Sequence, residues 1–152
     1  MPPANTDPIY SKLSDFQGSA LITTAAATVY DISGTIGTDI YKVFTADSTN
    51  GGFVQKVRFK YAANGTTTSV AAVLKIWIAS VASGTPTIGT QAWFYDEIAV
   101  PATGTLNTTA TNPVYEVPFN FALPLSYTIL VKTTVSQSAN TGWMATVVAG
   151  KY

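Results

Sequence analysis

Residues 53–61 read Phe-Val-Gln-Lys-Val-Arg-Phe-Lys-Tyr (FVQKVRFKY). Side chains of a β-strand alternate between two faces, so Phe53, Val57, Phe59 and Tyr61 share one side and Val54, Lys56, Arg58 and Lys60 the other. At the helical period the same residues would scatter around the axis. The stretch therefore reads as a strand with an aromatic, core-seeking face and a cationic face. Upstream, Asp39 to Ala46 (DIYKVFTA) alternates too, with Ile40, Lys42 and Phe44 against Tyr41, Val43 and Thr45. Between the two lies Asn50-Gly51-Gly52, whose residues tolerate left-handed backbone and suit a tight turn. A hairpin is expected here.

Further strands follow at turn-punctuated intervals: 20–24 and 28–32, then 70–79, 91–100, 114–119, 127–135 and 142–150. Val, Ile and Thr dominate them, and no segment carries a helical stripe. With about eight short strands, the expected fold class is all-β: an antiparallel β-sandwich, jelly-roll-like. A chain of 152 residues favours one domain. Residues 1–18 differ from the rest: Pro2, Pro3 and Pro8 fix φ and remove amide donors, which favours an extended arm. Ile9, Tyr10, Leu13 and Phe16 make that arm apolar enough to lie on a surface, its own or a neighbour's. The expected division is an arm over 1–18 and a single sandwich over 19–152.

One strand is apolar on both sides. Val70, Ala72, Leu74, Ile76 and Ile78 form one face of 70–79; Ala71, Val73, Lys75, Trp77 and Ala79 form the other. A half-exposed antiparallel strand should be polar on its second face. Either loops or the arm cover that face, or it meets another subunit, and in the second case Trp77 is a partner contact.

Composition narrows the chemistry. Charged residues make up only 11%, while 24 Thr and 11 Ser fill the deficit. A disordered chain or a coiled coil would need many more charges. Cys and His are both absent, which removes disulfides, thiolate chemistry and His-based acid–base catalysis. No Gly-x-Ser-x-Gly elbow, Walker loop or Gly-x-Gly-x-x-Gly occurs. The only adjacent carboxylates, Asp96 and Glu97, fall in a strand, where neighbours point to opposite faces. No enzyme activity and no cofactor is expected. Eight cations balance eight anions, which gives no field toward nucleic acid or an acidic membrane. The longest uninterrupted apolar run, Val70 to Leu74, is far below the ~20 residues of a spanning helix.

Lys56, Arg58 and Lys60 form a row of cations about 6.8 Å apart. Such a row is either a solvated sheet face or a docking strip for an acidic partner surface. Trp77, Trp93 and Trp143 admit a glycan platform, although large aromatics in a sandwich are mostly core.

Four stretches then point to a family: MPPANTDPIY at 1–10, VFTADSTNGGFVQKVRFKYAA at 43–63, EIAVPATG at 97–104 and VVAGKY at 147–152. Together they resemble small β-rich structural proteins of tailed bacteriophages, including capsid decoration (cement) proteins. The resemblance implies a virion structural protein at the capsid surface, made in the host cytoplasm. Its implied partners are copies of itself, in a trimer or other small ring, and the major capsid protein. Nucleic acid and membrane are not among them, and a glycan partner belongs to the alternative, a host-adhesion module of a tail or fibre. The candidate partner-binding residues are Ile9, Tyr10, Leu13, Phe16, Lys56, Arg58, Lys60 and Trp77.

Overall fold

A computed structural model describes residues 13–15, 19–23, 32–63, 68–103, 112–138 and 141–152, with backbone alone at 13–15 and 19. Nine strand segments occur in it: β1 (Leu13–Asp15), β2 (Ser19–Ile22), β3 (Tyr41–Thr45), β4 (Gly52–Ala63), β5 (Ala72–Ala79), β6 (Ala92–Val100), β7 (Val114–Leu123), β8 (Thr128–Thr133) and β9 (Thr141–Lys151). The described residues contain no helix.

Two antiparallel sheets form. The first runs β1-β9-β4-β7, with β2 also on β9, and the second runs β3-β8-β5-β6. Leu13 pairs with Lys151 and Ile22 with Trp143, so β1 and β2 follow one another down the same edge of β9. Counted as one interrupted strand, they give eight strands that pair first with last, second with seventh, third with sixth and fourth with fifth. That is the strand order of a jelly roll. The sandwich expected from periodicity is present.

Two expectations about local geometry are corrected. The hairpin across Asn50-Gly51-Gly52 does not form, because β3 pairs with β8 in one sheet and β4 with β7 and β9 in the other. Asp47 and Gly51 exchange both backbone hydrogen bonds at 3.1 Å, and after that single bridge the chain crosses between sheets. The phase of β4 also changes partway. The register slips between Val54 and Lys56 against both neighbours: Gln55 is the extra residue, a β-bulge, opposite β9, whereas opposite β7 the extra residue lies on β7. Val54 consequently turns inward with Val57, Phe59 and Tyr61, and Phe53 turns out to solvent, 38% exposed.

The main core lies between the sheets. Val57 and Phe59 of β4 and Trp143 and Val147 of β9 meet Ile76 of β5 and Ile129 of β8. Each fully buried aliphatic side chain contributes roughly 1.5–3 kcal/mol. A second, smaller cluster lies outside the sandwich. Ile32, Ile36 and Ile40 cover Trp77, Leu130 and Ala79 on the outer side of the second sheet. The two apolar faces of β5 are explained this way: one faces the other sheet and the other is roofed by residues 32–40. Loop cover, rather than another subunit, accounts for this face.

Candidate functional site

The outer side of the first sheet carries the cation row. Past the bulge, Lys56, Arg58 and Lys60 of β4 stand on this side, facing Val148, Thr146 and Met144 of β9 and Pro118, Glu116 and Val114 of β7 in register. The bulge sets this arrangement, because an unbroken period would have placed Phe53 in the core and Val54 among the cations. Lys56 Nζ reaches Glu116 Oε1 at 2.9 Å, with both side chains partly exposed. An exposed pair of this kind contributes little to stability. Its effect is on the potential: one negative charge, opposite Arg58 in register and bonded to Lys56, offsets part of the row and leaves a net positive face on which Arg58 and Lys60 are exposed.

Arg58, Lys60, Ala62, Met144 and Thr146 line a shallow depression of about 500 Å³. A guanidinium and an ammonium beside the flexible thioether of a methionine form a surface that can take a carboxylate-bearing side chain together with some apolar contact. Phe53 and Val114 add exposed apolar area to the same side.

A second surface lies along the edge strand β6. The Tyr95 hydroxyl donates to the Pro118 carbonyl at 2.8 Å, and its ring stacks on Phe119 with centroids 4.2 Å apart. These contacts tie β6 to β7 across the open side of the sandwich. Burial, and then the neighbouring Asp96 charge, raise the Tyr95 phenol above its ordinary pKa of 10.0. Asp96 and Glu97 are exposed beside it, with Glu97 opposite Lys75 in register. Trp93 and Phe94 are each 39% exposed. Trp93 lies parallel to Tyr127, with centroids 6.0 Å apart and planes 3° apart.

Most other described carboxylates are engaged locally. Asp39 Oδ2 accepts the Thr35 amide at 2.9 Å. Asp47 Oδ1 accepts the Thr49 and Asn50 amides, which hold its pKa below the ordinary value. Among the described residues no group of three or more His, Cys, Asp or Glu converges on one point.

The candidate residues read from sequence fare differently. The structure brings Lys56, Arg58 and Lys60 together on one open face. Trp77 is corrected: it is 1% exposed, packed under Ile36 and Ile40 and edge-on to Phe94 at 5.0 Å, so its ring cannot meet a partner. Leu13, assigned to the arm, has its backbone paired with Lys151 of β9 in the same chain. Ile9, Tyr10 and Phe16 lie outside the described residues. Sequence reasoning missed the β6 edge because it took Trp93 for core; its placing of Asp96 and Glu97 on opposite strand faces holds, with Asp96 opposite Ile76 and Glu97 opposite Lys75 in register. The register of β6 slips against Ile76 and Trp77, leaving Tyr95 as the extra residue.

No family model matches this chain, and no curated protein or solved structure shows significant similarity to it.

Proposed function

We propose that the chain is a non-enzymatic virion structural protein, a capsid decoration subunit. It stabilises a phage shell through contacts with its own copies, in a trimer or other small ring, and with the major capsid protein. The observation that carries this reading is the open side of the first sheet, where Arg58 and Lys60 stand exposed beside partly apolar neighbours on a rigid sandwich. A jelly roll is a frequent architecture of capsid proteins, which agrees with the reading, but it also serves lectins and cupins, so the fold alone does not carry it. The resemblance of the 1–10, 43–63, 97–104 and 147–152 stretches to tailed-phage structural proteins supports the same reading. Many weak contacts repeated over a symmetric shell add as avidity, so modest charge complementarity at each copy suffices.

The test is co-sedimentation with genome-free capsids of the phage that encodes the chain. Saturable binding with a raised shell melting temperature is the expected result. Protein that stays in the supernatant at every ratio refutes the proposal.

One observation favours a second reading, a glycan-binding adhesion module. Of the three tryptophans, Trp77 and Trp143 are buried, and Trp93 reaches solvent beside the parallel ring of Tyr127. A chain that leaves shells bare but binds glycans, and loses them on Trp93→Ala, belongs to that class.

A further inference from the structure

Among the described residues, two surfaces carry neighbouring exposed charges of one sign. Three exposed or partly exposed cations, Lys56, Arg58 and Lys60, share one strand face on the first sheet. Asp96 and Glu97 lie exposed on the edge strand of the second sheet, where Asp96 Oδ1 accepts the Glu97 amide at 2.8 Å; Asp39 and Asp47 likewise accept backbone amides, and Glu116 pairs with Lys56. Exposed apolar residues divide the same way. Phe53 and Val114 flank the cations, and Trp93 and Phe94 flank the acids, so these two surfaces hold four of the seven large apolar side chains that are most exposed.

From this arrangement we infer that the cationic face of one copy seats on the β6 edge of a second copy, with Arg58 and Lys60 against Asp96. The inference rests on the cationic face being a docking surface, as proposed above, and names its occupant. Each surface is disfavoured from meeting its own copy. Face on face opposes like cations, and β6 against β6 brings Asp96 of each copy together, which is repulsive across a strand pair. Charge and bulge along β6 also discourage backbone pairing, so side chains carry the contact. The contact thus joins unlike surfaces, either reciprocally across a two-fold axis or head-to-tail, and head-to-tail contacts close into rings or run on as filaments. A sheet face and a sandwich edge are adjacent sides of the molecule rather than opposite ones. In the head-to-tail case each added copy turns relative to the last, which favours closure into a small ring.

The experiment is sedimentation velocity on the full chain without shells, comparing wild type with Arg58→Glu, Asp96→Arg and the double variant. Wild type should exceed the 16.0 kDa of one chain and dissociate as salt approaches ~1 M, where charges are screened within about 3 Å. Each single variant should weaken association about tenfold or more, and the double variant should recover most of it. If Asp96→Arg does not fold by circular dichroism, Asp96→Asn removes the charge alone and should show the same direction of loss. A monomeric wild type, single variants that assemble normally, or a double variant no better than the singles each overturn the contact. A monomer that still binds shells overturns only this inference, whereas an intact oligomer that ignores shells overturns only the decoration reading.

Discussion

At Tyr95 one hydroxyl and one ring join two strands that share no ladder. The phenol donates to Pro118 and the ring stacks on Phe119, so Tyr95 holds the β6 edge against β7. Removing that hydrogen bond with Tyr95→Phe should cost roughly 1 kcal/mol at neutral pH. The group is also linked to pH. Burial and Asp96 raise its folded pKa, so between the unfolded and folded values the native state holds the proton that the unfolded state has released. Its contribution is therefore complete below about pH 10 and lost as pH rises through the folded value. Denaturant unfolding of wild type should show stability falling above about pH 10, with a smaller slope for Tyr95→Phe. Equal slopes would mean that the phenol is not held neutral by its surroundings.

The strand class of each segment was legible because alternation is local, and face assignment failed where it depended on one inserted residue. In β4 the period-two reading found the strand and its cation row. The bulge at Gln55 then reversed Phe53 and Val54, and no residue type in FVQ announces a bulge. Likewise Asn50-Gly51-Gly52 marks a turn correctly, but turn chemistry does not decide whether the flanking strands pair with each other or part to different sheets. That choice is made by β8 and β9, far along the chain. The candidate site divided the same way: the cations were visible as a periodic row, whereas the β6 edge needed a register slip and a fold. Deleting Gln55 tests the role of the bulge. It should drive Phe53 toward the core and Val54 out of it, costing about 2 kcal/mol or more through lost burial and overpacking. Gln55→Ala, which keeps the residue count, should stay within about 1 kcal/mol, since the side chain is exposed. Equal stability of the two variants by denaturant titration would show that β4 slides freely and that its cations are not fixed to one face.

Across the whole molecule two bodies of apolar contact differ in kind. The core between the sheets is fastened by strand ladders on both sides, whereas the roof over the second sheet is held by Ile32, Ile36 and Ile40 and a few loop hydrogen bonds. Among these, the Ile36 amide donates to the Gly84 carbonyl at 2.9 Å and the Gly37 amide to the Ile40 carbonyl at 2.8 Å. Beneath the roof lie two lysines, Lys75 at 5% and Lys132 at 0% exposure, and Lys132 Nζ donates to the Ser33 carbonyl. Opening the roof exposes apolar area but also returns two ammonium groups to water, which offsets part of the loss. The roof should therefore open before the sandwich unfolds. Ile40→Ala, at a site with no exposure, should cost the roof about 2–5 kcal/mol. In hydrogen exchange the Ile36 and Gly37 amides should lose protection, while the β4 and β9 amides at the centre of the first sheet keep theirs. Trp77 fluorescence should shift to the red as its ring is wetted. Uniform loss of protection across both sheets would mean that roof and sandwich unfold as one unit. Separate opening would leave the cationic face and the β6–β7 junction intact while the far side of the second sheet breathes, so assembly through those two surfaces should survive Ile40→Ala.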